Sequence, residues 1–167
     1  MAEALPGFRD VAIVDEEPVY LLKKIQLLTR DLYERFSKSH PEMFNFYDIG
    51  ELTIFSDNVI PTILHHLKII QLPIPCDATP RQVDILEGLQ VDLRTGRETT
   101  AERSYIFRAA AVDACEIIVE TAKTFPHAPS FIKNMTAAEI NAYLWQLAKQ
   151  GGLRDITRFT DPNTVFF

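Results

Sequence analysis

The sequence predicts an all-α fold, and three observations predict it. Leu21/Leu22, Ile25, Leu28, Leu32 and Phe36 recur at the spacing of one helical face. Thr79-Pro-Arg-Gln82, Thr99-Thr-Ala-Glu102 and Thr136-Ala-Ala-Glu139 each match the Ser/Thr-x-x-Glu/Gln capping box ahead of a periodic segment. Pro and Gly fall between those segments, where they act as stops.

The elements follow in order. Residues 1–17 read as an extended lead-in. A helix is expected from near Pro18 to about Ser37, with Glu16 and Glu17 suiting its N-terminus and Lys23, Lys24, Arg30, Asp31 and Glu34 on the side opposite the apolar stripe. The stretch from His40 to Tyr47 holds Met43, Phe44, Phe46 and Tyr47 and is expected to pack. A further helix runs from Asp57 to about Ile70, where Gln71-Leu-Pro-Ile-Pro75 breaks it. The three capping boxes start the remaining helices. The longest of these spans Thr100 to Lys123, and the last ends at Gly151-Gly152. Between Leu89 and Arg97 a β-like or irregular segment is expected to turn at Thr95-Gly96.

A chain of 167 residues suits one domain, and 47% hydrophobic with 24% charged residues suits a globular core. A net charge of −6 argues against a surface that tracks nucleic-acid phosphates, although a small nucleotide needs only one or two cations. Cys76 and Cys115 have no metal-type spacing and are too few for a disulfide framework, so reduced thiols in the cytoplasm are expected. The N-terminus lacks the features of a signal peptide, and no apolar run reaches the roughly 20 residues of a membrane helix. Adjacent His65 and His66 point in different directions on a helix and form no metal pair. No metal or organic cofactor is expected.

The most informative stretch is Glu51-Leu-Thr-Ile-Phe-Ser-Asp-Asn-Val-Ile-Pro-Thr-Ile-Leu64, which sets Asp57 at the mouth of an apolar helix. One reading is a capping Asp that accepts an orphan backbone N–H. The other is a chemical carboxylate. Arg108 and Glu116 lie about two turns apart on one helix, as a structural ion-pair set with outside partners or as ligand contacts. Asp113 and Glu120 read as a solvated stripe. Tyr143, Trp145 and the 43–47 aromatics are suited to core packing or to stacking on a flat heterocycle.

These words resemble the queuosine-salvage family, whose stretch reads roughly Leu-Thr-X-Phe-Ala-Asp before a Val-Pro step. Phe8-Arg-Asp10, Tyr20-Leu-Leu-Lys-Lys-Ile-Gln-Leu-Leu28 with Asp31-Leu-Tyr33, Arg108-Ala-Ala-Ala-Val-Asp-Ala-Cys-Glu116, Ile140-Asn-Ala-Tyr-Leu-Trp145 and Val165-Phe-Phe167 are similar to further family words in the same order. The resemblance implies part of a helical fold like that of DNA glycosylases. It also implies hydrolysis of the N-glycosidic bond of queuosine 5′-monophosphate to release queuine. Asp57 would be the carboxylate near the anomeric carbon, since the transition state is oxocarbenium-like. Asn58, Asn141, Tyr143 and Trp145 would border the base or sugar, and Arg154 or Arg158 would meet the phosphate. The partner would be the small nucleotide, with no direct nucleic-acid or membrane contact.

Three words depart from the family: Asn58-Val-Ile-Pro-Thr62 for Tyr-Arg-Val-Pro-Gln, Asn141 for an Asp, and Asp161-Pro-Asn-Thr164 for a His-Arg-X-Arg run. The chain matches the C-terminal half of family members about twice as long. It therefore reads as a truncated gene product, a fragment, or a protein whose pocket a second chain or self-association completes, with an apolar face left exposed. The alternative is a catalytically silent helical module that binds a nucleotide or a protein. A DNA glycosylase is disfavoured, because no basic stripe is present.

Overall fold

A computed structural model describes residues 4–162 and 164–166. Among these residues are seven α-helices and a two-stranded antiparallel sheet: β1 (Val11–Val14), β2 (Glu17–Tyr20), α1 (Lys23–Phe36), α2 (Pro41–Phe44), α3 (Val59–His66), α4 (Pro80–Thr95), α5 (Ala101–Thr124), α6 (Ser130–Lys133) and α7 (Ala137–Leu147). The fold is mainly helical, as the sequence predicts. Phe167 of the closing trio and Asn163 lie outside the described residues.

The hairpin corrects the expected start of the first helix. Asp15 and Glu16 both take positive φ, 50° and 68°, which is the twist of a two-residue hairpin turn. Val11 therefore faces Tyr20, and Pro18 faces Ile13, on an edge strand that tolerates a proline. The helix starts only at Lys23, after Leu22 turns through φ 52°. Its opening is tied down from a distance. The Asp10 carbonyl accepts from Leu21 and Leu22 N–H at 3.0 and 3.3 Å. The Asp10 carboxylate accepts from Lys23 N–H at 3.1 Å. Asp10 thus fills the role expected of Glu16 and Glu17.

Helix α3 is buried along Val59–Leu64, all six residues, and forms the centre of the core. Around it pack Leu89 from α4, Phe107, Ala111 and Cys115 from α5, Ile140 and Leu144 from α7, and Phe159. It stops at His66, shorter than expected, where Lys68 turns through φ 61°. Helix α4 is longer than expected and takes in the segment read as β-like. Ile85, Leu89 and Leu93 are its buried apolar residues, at i, i+4 and i+8, so the helical period decides. It ends at Gly96 with φ 66°.

Two capping boxes form as read, at Thr79/Gln82 and Thr136/Glu139. The third is shifted by one. Thr100 caps α5 through the Arg103 N–H, while Thr99 is buried and donates its own N–H to Thr160 O at 2.7 Å. That bond brings the C-terminal segment against the α4–α5 connection. In the 40–47 stretch, the Phe44 ring lies tilted against Phe36 and edge-on to Phe46. Met43 and Tyr47, expected to pack, are 61% and 99% exposed.

Candidate functional site

Residues 54–57 run irregularly into α3, yet all four are buried. A buried segment with no ladder must find partners for its backbone polar groups, and side chains supply them. Asn141 Oδ1 on α7 accepts the Phe55 N–H at 2.9 Å. Arg108 on α5 donates Nε and Nη2 to the Ser56 carbonyl at 3.0 and 2.9 Å. Ser56 Oγ returns a bond to the Arg108 carbonyl at 2.8 Å. On the α1 side, Gln26 Oε1 accepts from Thr53 N–H at 3.0 Å.

Arg108 is fully buried and needs a counter-ion. Asp10 provides it, with Nη1 to Oδ1 at 2.9 Å and Nη2 to Oδ2 at 2.6 Å. Tyr105 OH donates to Asp10 Oδ1 at 2.8 Å. Burial, then the bond to Asp10, raises the Tyr105 pKa, so the phenol stays protonated as the donor. Arg108 thus sits in a structural ion pair with an outside partner. Glu116 does not share it; it is exposed and lines a concavity of about 700 Å³ with Thr53, Val119, Lys133 and Thr136.

Asp57 is 1% exposed. Its Oδ1 accepts the Val59 N–H at 2.7 Å, but from one position ahead of the N-cap, which is Asn58 and not the expected Asp57; the Asn58 side chain makes no cap bond. Its Oδ2 pairs with Lys23 Nζ at 2.9 Å. A carboxylate offers about four lone-pair directions, so two of them remain for another partner. The Lys23 side chain is 12% exposed and forms the covering of the pair on that side. Asn58 is close by, with Nδ2 donating to the Phe159 carbonyl at 3.0 Å. Asp57, Asn58 and Asn141 are therefore gathered around one buried turn.

The other candidates lie elsewhere. Trp145, Arg154 and Arg158 meet in a concavity of about 400 Å³ with Ala148 and Lys149, beyond the C-terminal end of α7. Tyr143 joins neither group. It is 63% exposed, being two residues and about 200° of helical rotation from both Asn141 and Trp145.

Sequence reasoning missed Lys23, Asp10, Ser56 and Tyr105. Lys23 was assigned to the solvent side, whereas its ammonium turns inward to Asp57. Its place two residues after the buried Leu21, at the end of the apolar stripe, is the available signal.

The sequence model of the family described as "Queuosine salvage protein" matches residues 1–166. The chain belongs to the queuosine salvage protein family. Among curated relatives, a queuosine 5′-phosphate N-glycosylase/hydrolase of Sphaerobacter thermophilus is 36% identical over 123 residues, covering 70% of this chain and 38% of the relative. One of the same name from Dictyostelium discoideum is 33% identical over 88 residues, covering 52% of this chain and 27% of the relative. The matched part is thus well under half of either queuosine salvage relative. No described helix is long and apolar enough to cross a membrane.

Proposed function

We propose that this chain carries the carboxylate-bearing part of a hydrolase that cleaves the N-glycosidic bond of queuosine 5′-phosphate and frees queuine. One observation carries the reading: Asp57, in the word that resembles the family's Leu-Thr-X-Phe-Ala-Asp, is buried at the mouth of α3 and held from two sides by Lys23 Nζ and the Val59 N–H. Those contacts fix the carboxylate in place before substrate arrives, which is the preorganisation that stabilises a developing cation. In the reaction Asp57 faces the anomeric carbon, stabilises the oxocarbenium-like transition state and orients the attacking water. Asn58 and Asn141 border the sugar, Trp145 the base, and Arg154 and Arg158 offer charge to the phosphate. No metal or organic cofactor takes part in this scheme, and the setting is cytoplasmic.

A second chain or self-association completes the pocket wall. Support comes from apolar side chains left in solvent, Ile13, Tyr20, Ile117 and Phe131 being 64% or more exposed. A second reading, a silent helical module, is favoured by the covering of Asp57 by Lys23 and by the use of Asn141 Oδ1 on backbone.

Queuine release from queuosine 5′-phosphate by the purified chain tests both, beside Asp57→Ala. Release that disappears in the variant supports the hydrolase. Nucleotide binding without release supports the silent module.

A further inference from the structure

We infer that Asp10 is a positioning residue for Asp57: through two arms, its buried carboxylate sets both the peptide unit that carries Asp57 and the ammonium that meets the Asp57 carboxylate. The link to catalysis rests on the hydrolase reading above; the geometry of the two arms does not.

The first arm passes through Arg108. One edge of its guanidinium grips the Asp10 carboxylate, Nη1 to Oδ1 at 2.9 Å and Nη2 to Oδ2 at 2.6 Å. The adjoining edge donates Nε and Nη2 to the Ser56 carbonyl at 3.0 and 2.9 Å. A guanidinium is rigid and planar, so a shift of Asp10 is passed on to that carbonyl. The Ser56 carbonyl shares its peptide unit with the Asp57 nitrogen, and that unit is planar as well. The second arm passes through Lys23. Asp10 Oδ2 accepts the Lys23 N–H at 3.1 Å and so places the residue whose Nζ meets Asp57 Oδ2 at 2.9 Å. The two arms close on Asp57, one from its backbone and one from its carboxylate.

The plain alternative is that Asp10 serves only as counter-ion to a buried arginine. A counter-ion alone needs neither the Lys23 N–H nor a guanidinium turned so that its other donors meet beside Asp57. The Arg108 arm is also dry. Asp10, Arg108, Ser56 and Asp57 are each 1% exposed or less, and a close-packed interior transmits displacement instead of absorbing it. Tyr105 donates to Asp10 Oδ1 at 2.8 Å but lies on neither arm, which makes it the control.

Asp10→Glu keeps the charge and moves it by one methylene. Arg108→Lys keeps the charge but lacks the fork that holds two acceptors at once. Tyr105→Phe loses a bond to Asp10 and leaves both arms in place. All three are made in the full chain, with circular dichroism to check folding. The Val59 N–H donates to Asp57 Oδ1 at 2.7 Å, so its amide proton resonance reports where that oxygen stands. The expected result is a displaced Val59 resonance in Asp10→Glu and Arg108→Lys and none in Tyr105→Phe. In queuine release the first two should lower kcat roughly tenfold to a hundredfold with KM unchanged, and Tyr105→Phe should not. If Asp10→Glu does not fold, Arg108→Lys decides alone. A Val59 resonance that stays in place, or that moves as far in Tyr105→Phe, overturns the proposal, as does an unaltered kcat in an active chain. Wild-type protein that releases no queuine sinks the hydrolase reading; a Val59 displacement confined to the two arm variants then leaves the positioning of Asp57 standing.

Discussion

Asp10 carries more than its place near the N-terminus suggests. Its carboxylate accepts from Arg108, Tyr105 and the Lys23 N–H, and its carbonyl receives the Leu21 and Leu22 N–H groups. Replacing it by Asn leaves a buried guanidinium without a counter-ion, a change of about 3–5 kcal/mol in comparable pairs. Tyr105→Phe removes one donor from a carboxylate that keeps its others, and about 1.5–3 kcal/mol is expected for a bond to a charged group. Urea unfolding of both variants checks this order, and equal losses would contradict it. Cys115 offers a second test. Burial, then the nearby Glu116 charge, pushes its thiol pKa up to about 12, while Cys76 is exposed. Iodoacetamide at pH 8 should label Cys76 readily and Cys115 only in urea. The unfolded thiol loses its proton near pH 8.5 while the buried one keeps it, so Cys115 makes stability fall as pH rises above about 8.5. At this scale the sequence showed Asp57 clearly, because an acid ahead of an apolar helix is conspicuous. It did not show Asp10 and Lys23 as partners of Arg108 and Asp57, since nothing local marks contacts that span 98 and 34 positions.

Among the elements, the capping chemistry was the most legible. Thr79 and Thr136 both close reciprocal boxes, and either one changed to Ala should cost about 1 kcal/mol in urea unfolding. Thr99 and Thr100 test the register of the third. Thr100→Ala should show the capping loss in melting temperature, whereas Thr99→Ala removes a buried hydroxyl that has no hydrogen-bond partner and should cost less. Gly96→Ala should destabilise by about 1–2 kcal/mol, because its φ of 66° disfavours a side chain and an added Cβ would meet Thr157 Cγ2 at 2.7 Å. The hairpin and the second half of α4 were the misread elements. Glu16 and Glu17 suit a helix start by charge, but the positive φ values at Asp15 and Glu16 belong to a tight turn that the letters Asp-Glu do not announce. In α4, burial of Ile85, Leu89 and Leu93 against the core decided between two periods that a short apolar run leaves open.

For the whole molecule, the mainly helical architecture was readable because helical periodicity and stop signals are local properties. Which helices surround α3 was not readable, since that depends on packing between distant segments. The apolar side chains in solvent bear on association: on the proposed reading, sedimentation should show a species larger than a monomer, and a monomer at high concentration would count against a partnered surface. The buried turn around Asp57 also has a consequence in time. Its fastenings join Asp10 to Arg108, Phe55 to Asn141 and Asn58 to Phe159, across 98, 86 and 101 positions. Each closes a long loop, whose entropic cost must be met before the contact returns anything. Helices α5 and α7, built on local bonds, can form early during refolding, and the turn must wait for both ends of the chain to arrive. In a stopped-flow experiment, helical signal should therefore precede protection of the Phe55 amide from hydrogen exchange, so that the candidate site is the last part of the molecule to mature.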